Sequence, residues 1–228
     1  MKFKKKVLVL TSLSLHHQIF LNLLKSEINY MIIKESSSVK FNFTTDDPLF
    51  VKKQKLFESK YFTKNRFTYL KPNYLCKNIN EKKNILRAKK FKPDLIIVFG
   101  TRKLNTSWIS LFKKKIFNVH RGDPRFFRGL DSEFWAIYHD MFNNLGVCIH
   151  RVSKQLDTGD IFSYVKIRLT KKIKLHQLRF LMTLKAVNIF KKLINTKKIK
   201  LYKQNFKGRY YSAMPAIMKK ICEIKFNK

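Results

Sequence analysis

Two short runs of consecutive aliphatic residues constrain the fold more than any other feature of this sequence. Lys6 to Thr11 reads KVLVLT and Asp94 to Phe99 reads DLIIVF. Such runs are typical of strands buried on both faces of a parallel sheet. Apolar residues at helical spacing from Leu15 to Leu24, and another apolar run from Tyr30 to Ile33, follow the first strand. Strand, helix and strand in this order predict an α/β, Rossmann-like fold with a mostly parallel central sheet and helices on both faces.

The rest of the chain continues the alternation. Further helices are predicted from Pro48 to about Phe62, from Glu81 to Phe91 and from Leu175 to Ile194. Further strands, or extended segments, are predicted in four places: residues 65–73 (with a turn), 116–119, 146–152 and 158–169. The tail from residue 197 is expected to form a strand and a short helix.

The formal net charge of +36 is the most extreme property of the composition. A charge of this size suggests nucleic acid or a membrane surface as a partner. The lysines, however, are scattered along the whole chain and form no single stripe with interleaved aromatics. We therefore favour a compositional origin of the charge over a dedicated site for a polyanion.

Neither a metal site nor a disulfide framework is predicted. Cys76, Cys148 and Cys222 are widely spaced and form no C-x-x-C pair. His16 and His17 are adjacent and lack the i, i+4 spacing of a helical metal pair, so we interpret them as ordinary helix residues.

Targeting segments and membrane spans are not predicted either. The apolar run from Val7 to Leu10 is too short for a signal-peptide core. No stretch approaches the ~20 apolar residues of a membrane span. The sequence therefore predicts a soluble, cytoplasmic protein.

The stretch from Lys115 to Asp160 concentrates residues that carry chemistry. A short strand delivers Asn118 and His120 to one face, because side chains two apart on a strand share a face. A loop rich in Gly and Pro follows, and then a helix from Asp131 or Ser132 to Tyr138. After the strand predicted at residues 146–152, the residues Leu156-Asp157-Thr158-Gly159-Asp160 form a turn.

These motifs resemble the folate-dependent formyltransferases, and Gly122, the pair Phe126-Phe127 and the segment from Leu10 to His17 look more like the sugar N-formyltransferase branch. The matching features are Asn118-x-His120, Arg128-Gly129, the strand from Gly146 to His150 and the turn from Leu156 to Asp160. The resemblance covers roughly residues 5 to 200 and is densest from 94 to 165. It implies a catalytic domain at residues 1–200 and a short C-terminal extension at residues 201–228.

The resemblance also assigns roles to individual residues. It implies that Asn118, His120 and Asp157 are catalytic and that 10-formyltetrahydrofolate is the co-substrate, with no metal. The folate pocket would include the loop Phe99-Gly100-Thr101-Arg102 and Leu156. Gly159 is expected to give the Asp157 turn a positive φ. The pair Phe126-Phe127, with Arg128, is expected to pack against the acceptor.

Formyl transfer to a primary amine is therefore the predicted reaction. The favoured acceptor is a small molecule, a nucleotide-linked amino sugar used in surface polysaccharides. Glycinamide ribonucleotide is an alternative, although the turn from Thr11 to Ser14 lacks the glycine of that enzyme's phosphate-binding turn. Methionyl-tRNA is another, although too few residues follow the last long helix for the usual C-terminal domain. A folate deformylase and a basic RNA-binding protein that reuses the fold are the remaining alternatives.

Overall fold

The buried aliphatic runs form the centre of a seven-stranded sheet in the computed structural model, which describes residues 4–36, 41–206 and 208–227. The strands are β1 (Lys6–Thr11), β2 (Asn29–Glu35), β3 (Tyr74–Cys76), β4 (Leu95–Phe99), β5 (Ile116–His120), β6 (Phe127–Gly129), β7 (Gly146–Arg151), β8 (Ile161–Lys166) and β9 (Arg209–Tyr211). The α-helices are α1 (Leu15–Asn22), α2 (Pro48–Lys64), α3 (Lys82–Phe91), α4 (Thr106–Phe112), α5 (Ser132–Tyr138), α6 (Leu178–Asn195) and α7 (Ala216–Phe226).

The central sheet has the order β3-β2-β1-β4-β5-β7-β8. The strands from β3 to β5 in this order are parallel, and β7 and β8 add antiparallel at one edge. This arrangement confirms the predicted α/β class.

Helices cover both faces of the sheet. Val7 and Val9 of β1 belong to a core cluster that also contains residues of α1, α5 and α6. Leu8 and Leu10 point to the opposite face, into a second cluster with residues of α3 and α4. Since successive side chains of a strand alternate between faces, a strand buried on both sides must be apolar throughout.

The prediction of a strand within residues 65–73 was wrong. That segment has no regular structure, and the strand β3 begins only at Tyr74. Amide side chains of α1 satisfy its backbone: Gln18 bonds both the N–H and the carbonyl of Leu70, and Asn22 Nδ2 donates to the carbonyl of Thr68. These side chains supply the hydrogen bonds that a neighbouring strand would otherwise provide.

The tail forms the predicted strand and helix. β9 pairs in parallel with β6 to make a separate two-stranded sheet, and Cys222 of α7 is fully buried in the main core. Asp131 precedes the first residue of α5, but its side chain makes no capping hydrogen bond to the helix. Its carboxylate instead accepts from the backbone N–H of Met214 at 3.0 Å and from Lys219 Nζ at 2.9 Å, so it holds the tail. The boundary between the two predicted units at residue 200 stays a prediction.

Candidate active site

The C-terminal half of β5 presents two polar side chains at the junction between the parallel and antiparallel parts of the sheet. Asn118 is half-buried and His120 is buried. Opposite them on the antiparallel strand β7 lie His150 and Cys148, in register with Asn118 and His120 respectively. Directly opposed side chains in an antiparallel pair lie on the same face of the sheet.

Asp157 completes a cluster with these side chains. Its Oδ1 accepts a hydrogen bond from Asn118 Nδ2 at 3.2 Å, and its Oδ2 lies 3.5 Å from His120 Nδ1. The backbone N–H of Gly129 donates to the same Oδ2 at 2.9 Å. The structure thus brings together the three side chains that the sequence motifs selected, while their catalytic roles stay a prediction.

A positive φ occurs in the turn, but not at the predicted residue. Asp157 itself has a φ of 53°, in the left-handed region. Gly159 is needed for a different reason, since a Cβ there would lie 1.8 Å from the carbonyl oxygen of Arg151. The turn therefore packs directly on the backbone at the end of β7.

His150 is a member of the cluster that the sequence reasoning did not assign. Its Nε2 lies 3.3 Å from both Asn118 Nδ2 and Asp157 Oδ1. Its Nδ1 lies 2.9 Å from the carbonyl oxygen of Arg151, and since a carbonyl only accepts, Nδ1 carries a proton. The neutral ring therefore accepts from Asn118, and the charged ring donates to Asp157. No local pattern marked His150, because it reaches the cluster through the antiparallel pairing of β7 with β5.

The cluster favours an ionised Asp157. Burial disfavours the charge, but the charge of His120, the contacts with His150 and the Gly129 N–H outweigh it and hold the pKa of Asp157 well below its usual range. A permanently charged carboxylate in a buried site attracts positive charge on its neighbours.

Phe127 takes a different role from the one expected. Its side chain is buried in the core, and its carbonyl accepts a hydrogen bond from His120 Nε2 at 2.9 Å. The side chain therefore cannot pack against an acceptor, although Phe126 is 41% exposed. Arg128 is also engaged, because its Nε donates to the carbonyl of Gly208 in the tail.

The loop predicted to hold folate leaves the sheet beside this cluster. Val98 pairs with Asn118, so residues 99–102 emerge from the strand adjacent to β5. Phe99 is buried, and Gly100 has a φ of 78°. Glu35 fixes the position of the loop through two hydrogen bonds. Its Oε2 accepts from the backbone N–H of Arg102 at 2.9 Å, and its Oε1 accepts from Arg102 Nε at 2.6 Å. Leu156 is half-buried and directly precedes Asp157.

His16 and His17 are both buried at the start of α1. Ser14 Oγ lies 3.1 Å from His16 Nδ1 and 3.0 Å from His17 Nδ1, and Arg121 Nη1 lies 3.4 Å from His16 Nε2. Burial and the nearby cations lower the pKa of both rings. Within the described ranges, no group of three or more His, Cys, Asp or Glu side chains is arranged to hold a metal ion, and no helix is long and apolar enough to cross a membrane.

The protein is an α/β protein whose parallel sheet carries two antiparallel strands at one edge. Its Asn, His and Asp cluster lies where β5, the last parallel strand, pairs with β7. The sequence profile of the formyl transferase family matches residues 16–190. The chain therefore belongs to the formyl transferase family.

Individual relatives share part of the chain. Over 102 residues the chain is 33% identical to the bifunctional polymyxin resistance protein ArnA of Wigglesworthia glossinidia brevipalpis. The matched stretch makes up 44% of this chain and 15% of that protein. Over 120 residues it is 31% identical to the methionyl-tRNA formyltransferase of Finegoldia magna. That matched stretch makes up 52% of this chain and 38% of the relative. The chain thus spans less than half the length of either relative.

Solved structures share the fold over nearly the whole chain. A 4-N formyltransferase from Francisella tularensis superposes with a TM-score of 0.64 at 17% identity and covers 97% of this chain and 87% of its own. The formyltransferase PseJ from Anoxybacillus kamchatkensis superposes with a TM-score of 0.54 at 18% identity and covers 91% and 85%. That PseJ structure contains UDP-4,6-dideoxy-4-formamido-L-AltNAc and tetrahydrofolate.

Proposed function

We propose that this protein transfers a formyl group from 10-formyltetrahydrofolate to the primary amine of a nucleotide-linked amino sugar. The observation that carries the proposal is the contact of both Asn118 and His120 with the buried carboxylate of Asp157. Membership of the formyl transferase family supports the reaction class.

The cluster supplies what attack of an amine on a formyl group requires. Negative charge develops on the formyl oxygen, and donors that are already oriented stabilise it. Asn118 contributes an amide N–H whose orientation Asp157 and His150 fix. His120 lies 3.5 Å from the Asp157 carboxylate and contributes positive charge when it is protonated. The amine must lose a proton and the folate nitrogen N10 must gain one, and His120 and Asp157 together provide a site that holds that proton.

The folate would bind against the β4 loop and the Asp157 turn. The strand β4, which pairs with β5, ends at Phe99 and continues into Gly100, Thr101 and Arg102. Leu156 directly precedes Asp157 in the other segment of the site. Since Phe99 points into the core and Glu35 engages Arg102, the contacts with the pteridine would come largely from backbone groups.

Gly100→Ala is expected to weaken the binding of a 5-deaza analogue of 10-formyltetrahydrofolate about tenfold, measured by calorimetry. A non-glycine residue in the left-handed region costs on the order of 1–3 kcal/mol, and displacement of the loop relieves that cost but moves the backbone groups that would contact the pteridine. A tenfold loss corresponds to about 1.4 kcal/mol of binding free energy. The added Cβ would also lie 2.7 Å from the ring of His17. Lys103→Ala, at an exposed position of the same loop, is the control and should bind normally. Unchanged affinity of Gly100→Ala would place the pteridine elsewhere.

The acceptor is proposed from two observations. The ligand in the PseJ structure is a formamido sugar linked to a nucleotide. The turn from Thr11 to Ser14 also lacks the glycine that a close approach to the phosphate of glycinamide ribonucleotide requires.

Methionyl-tRNA is a second candidate, because the chain is 31% identical to a methionyl-tRNA formyltransferase over 120 residues and carries a net charge of +36. A direct test is incubation with 10-formyltetrahydrofolate and one acceptor at a time, followed by mass spectrometry. The acceptors are amino-sugar nucleotides, glycinamide ribonucleotide and charged initiator tRNA. We expect a gain of one formyl group on an amino-sugar nucleotide. Rapid formylation of either other acceptor, with inert sugars, would replace the sugar assignment and leave the reaction class unchanged.

A further inference from the structure

Gln204, in the tail between α6 and β9, bonds the backbone of the turn that carries Asp157. The residue is half-buried, and its Nε2 donates to the carbonyl of Asp157 at 3.0 Å and to that of Gly159 at 2.7 Å. The NH2 group of a carboxamide has two hydrogens, so it can satisfy both carbonyls at once. The family profile matches residues 16–190, so this contact comes from a part of the chain outside the matched region.

The turn has a conformation that needs such support. Asp157 is not a glycine, yet its φ is 53°. A non-glycine residue keeps a left-handed conformation only where its surroundings impose it. Rotation of the peptide that follows Asp157 changes the ψ torsion of Asp157 and thereby the direction of its side chain. Hydrogen bonds that fix the carbonyls of Asp157 and Gly159 resist that rotation.

The direction of the Asp157 side chain matters because its two oxygens have different partners. Oδ1 accepts from Asn118 Nδ2 at 3.2 Å. Oδ2 accepts from the backbone N–H of Gly129 at 2.9 Å and lies 3.5 Å from His120 Nδ1. Hydrogen bonds weaken steeply when donor and acceptor are misaligned. A rotated carboxylate would therefore lose its contacts with β5 and with β6 together.

The tail holds Gln204 in place from both sides. Two residues before it, Tyr202 exchanges two backbone hydrogen bonds of 2.8 Å with Ile161 at the start of β8. Further along the tail, the backbone N–H of Arg209 donates to the carbonyl of Phe126 at 3.0 Å. A reacting group is held precisely when the residues that support it are themselves fixed.

We propose that Gln204 is a positioning residue, which bonds both carbonyls of the turn and so holds the Asp157 carboxylate against Asn118 and His120. It acts through Asp157 and does not touch the reacting atoms. The inference rests on the proposed function for the reaction that it supports, but the position of the carboxylate can be measured without any substrate.

The titration of the Asp157 carboxyl reports its position. Burial raises the pKa of Asp157, but the charge of His120, the contacts with His150 and the Gly129 N–H outweigh it and hold that pKa well below its usual range. A carboxylate that turns away from these groups loses what lowers its pKa, so the pKa rises. Titratable side chains on two strands face it: His120 on β5, and Cys148 and His150 on β7. An NMR signal from the Asp157 carboxyl carbon follows that group apart from these three.

Gln204→Ala is expected to raise the pKa of Asp157, measured by carbon-13 NMR of protein labelled at the aspartate carboxyl carbons. It should also slow single-turnover formyl transfer roughly 10- to 100-fold, the effect of a misplacement of about 1 Å. Gln204→Glu has the same shape, but its ionised carboxylate cannot donate to the two carbonyls, so it should be impaired at least as much. Asn205→Ala removes the neighbouring, exposed carboxamide and is the matched control, which should keep the normal rate and titration.

Two results would overturn the proposal. One is an unchanged titration of Asp157 in both Gln204 variants, because the hydrogen bonds would then be merely structural, even if urea unfolding showed a loss of stability. The other is an equal effect in Asn205→Ala. If the wild type transfers formyl groups while the titration is unchanged in the variants, this inference fails and the proposed function stands. If the titration shifts in Gln204→Ala while the wild type formylates no amine, the proposed function fails and the positioning of Asp157 stands.

Discussion

Asp157→Asn is expected to lower the rate of formyl transfer by at least about 100-fold, the usual contribution of a positioned acid–base group. An amide at this position carries no charge, so it removes the ionic interaction with His120, whose Nδ1 lies 3.5 Å from the carboxylate. Asn118 Nδ2 and the Gly129 N–H both donate to the carboxylate. The NH2 group of an asparagine would face one of these two donors, and that hydrogen bond would be lost. Single-turnover measurements with 10-formyltetrahydrofolate and an accepted amine report the chemical step directly.

His120→Ala should reduce the rate by a similar factor, and the double variant with Asp157→Asn by little more than either change alone. Residues that act as one unit show such non-additivity. Asp160→Asn, in the same turn, is the matched control and should transfer at the normal rate. His120→Ala and Asp157→Asn should each keep the circular dichroism spectrum and the folate affinity of the wild type. Near-normal transfer by folded Asp157→Asn would remove the carboxylate from the mechanism.

Gly159→Ala is expected to have the largest effect on stability. The added Cβ would lie 1.8 Å from the carbonyl oxygen of Arg151 and 2.7 Å from its carbonyl carbon, and backbone atoms cannot rotate away as a side chain does. Overpacking of this kind typically costs about 1–3 kcal/mol and occasionally more. Relief of the clash must displace the turn, so Asp157 would move away from Asn118 and His120, and transfer would be lost together with stability.

Urea unfolding and transfer assays on the same preparation test this expectation. Lys154→Ala, at an exposed position two residues before the turn, should leave both properties unchanged. A Gly159→Ala protein with wild-type stability and activity would mean that the turn does not pack on β7 as described.

The sequence predicted those features that depend on local pattern. The buried strands at β1 and β4 follow from continuous aliphatic runs, and Asn118 and His120 share a face because a strand alternates. Features that depend on distant partners were missed or misassigned. His150 joins the cluster through the antiparallel register of β7 with β5, and the buried ring of Phe127 packs near the ring of Tyr211 in the tail. In residues 65–73, amides of α1 bond the backbone of Thr68 and Leu70 in place of a neighbouring strand. None of these partners is adjacent in sequence.

The pairing of β6 with β9 bears on the order in which the protein assembles during synthesis. Gly129 supplies the N–H that holds Asp157, and its own strand is paired by Tyr211, roughly eighty residues later in the chain. Contacts between such distant segments form late, because a long loop must close first. The full set of hydrogen bonds around Asp157 therefore depends on residues 209–211, and the segments up to β8 lack the pairing that positions the Gly129 N–H.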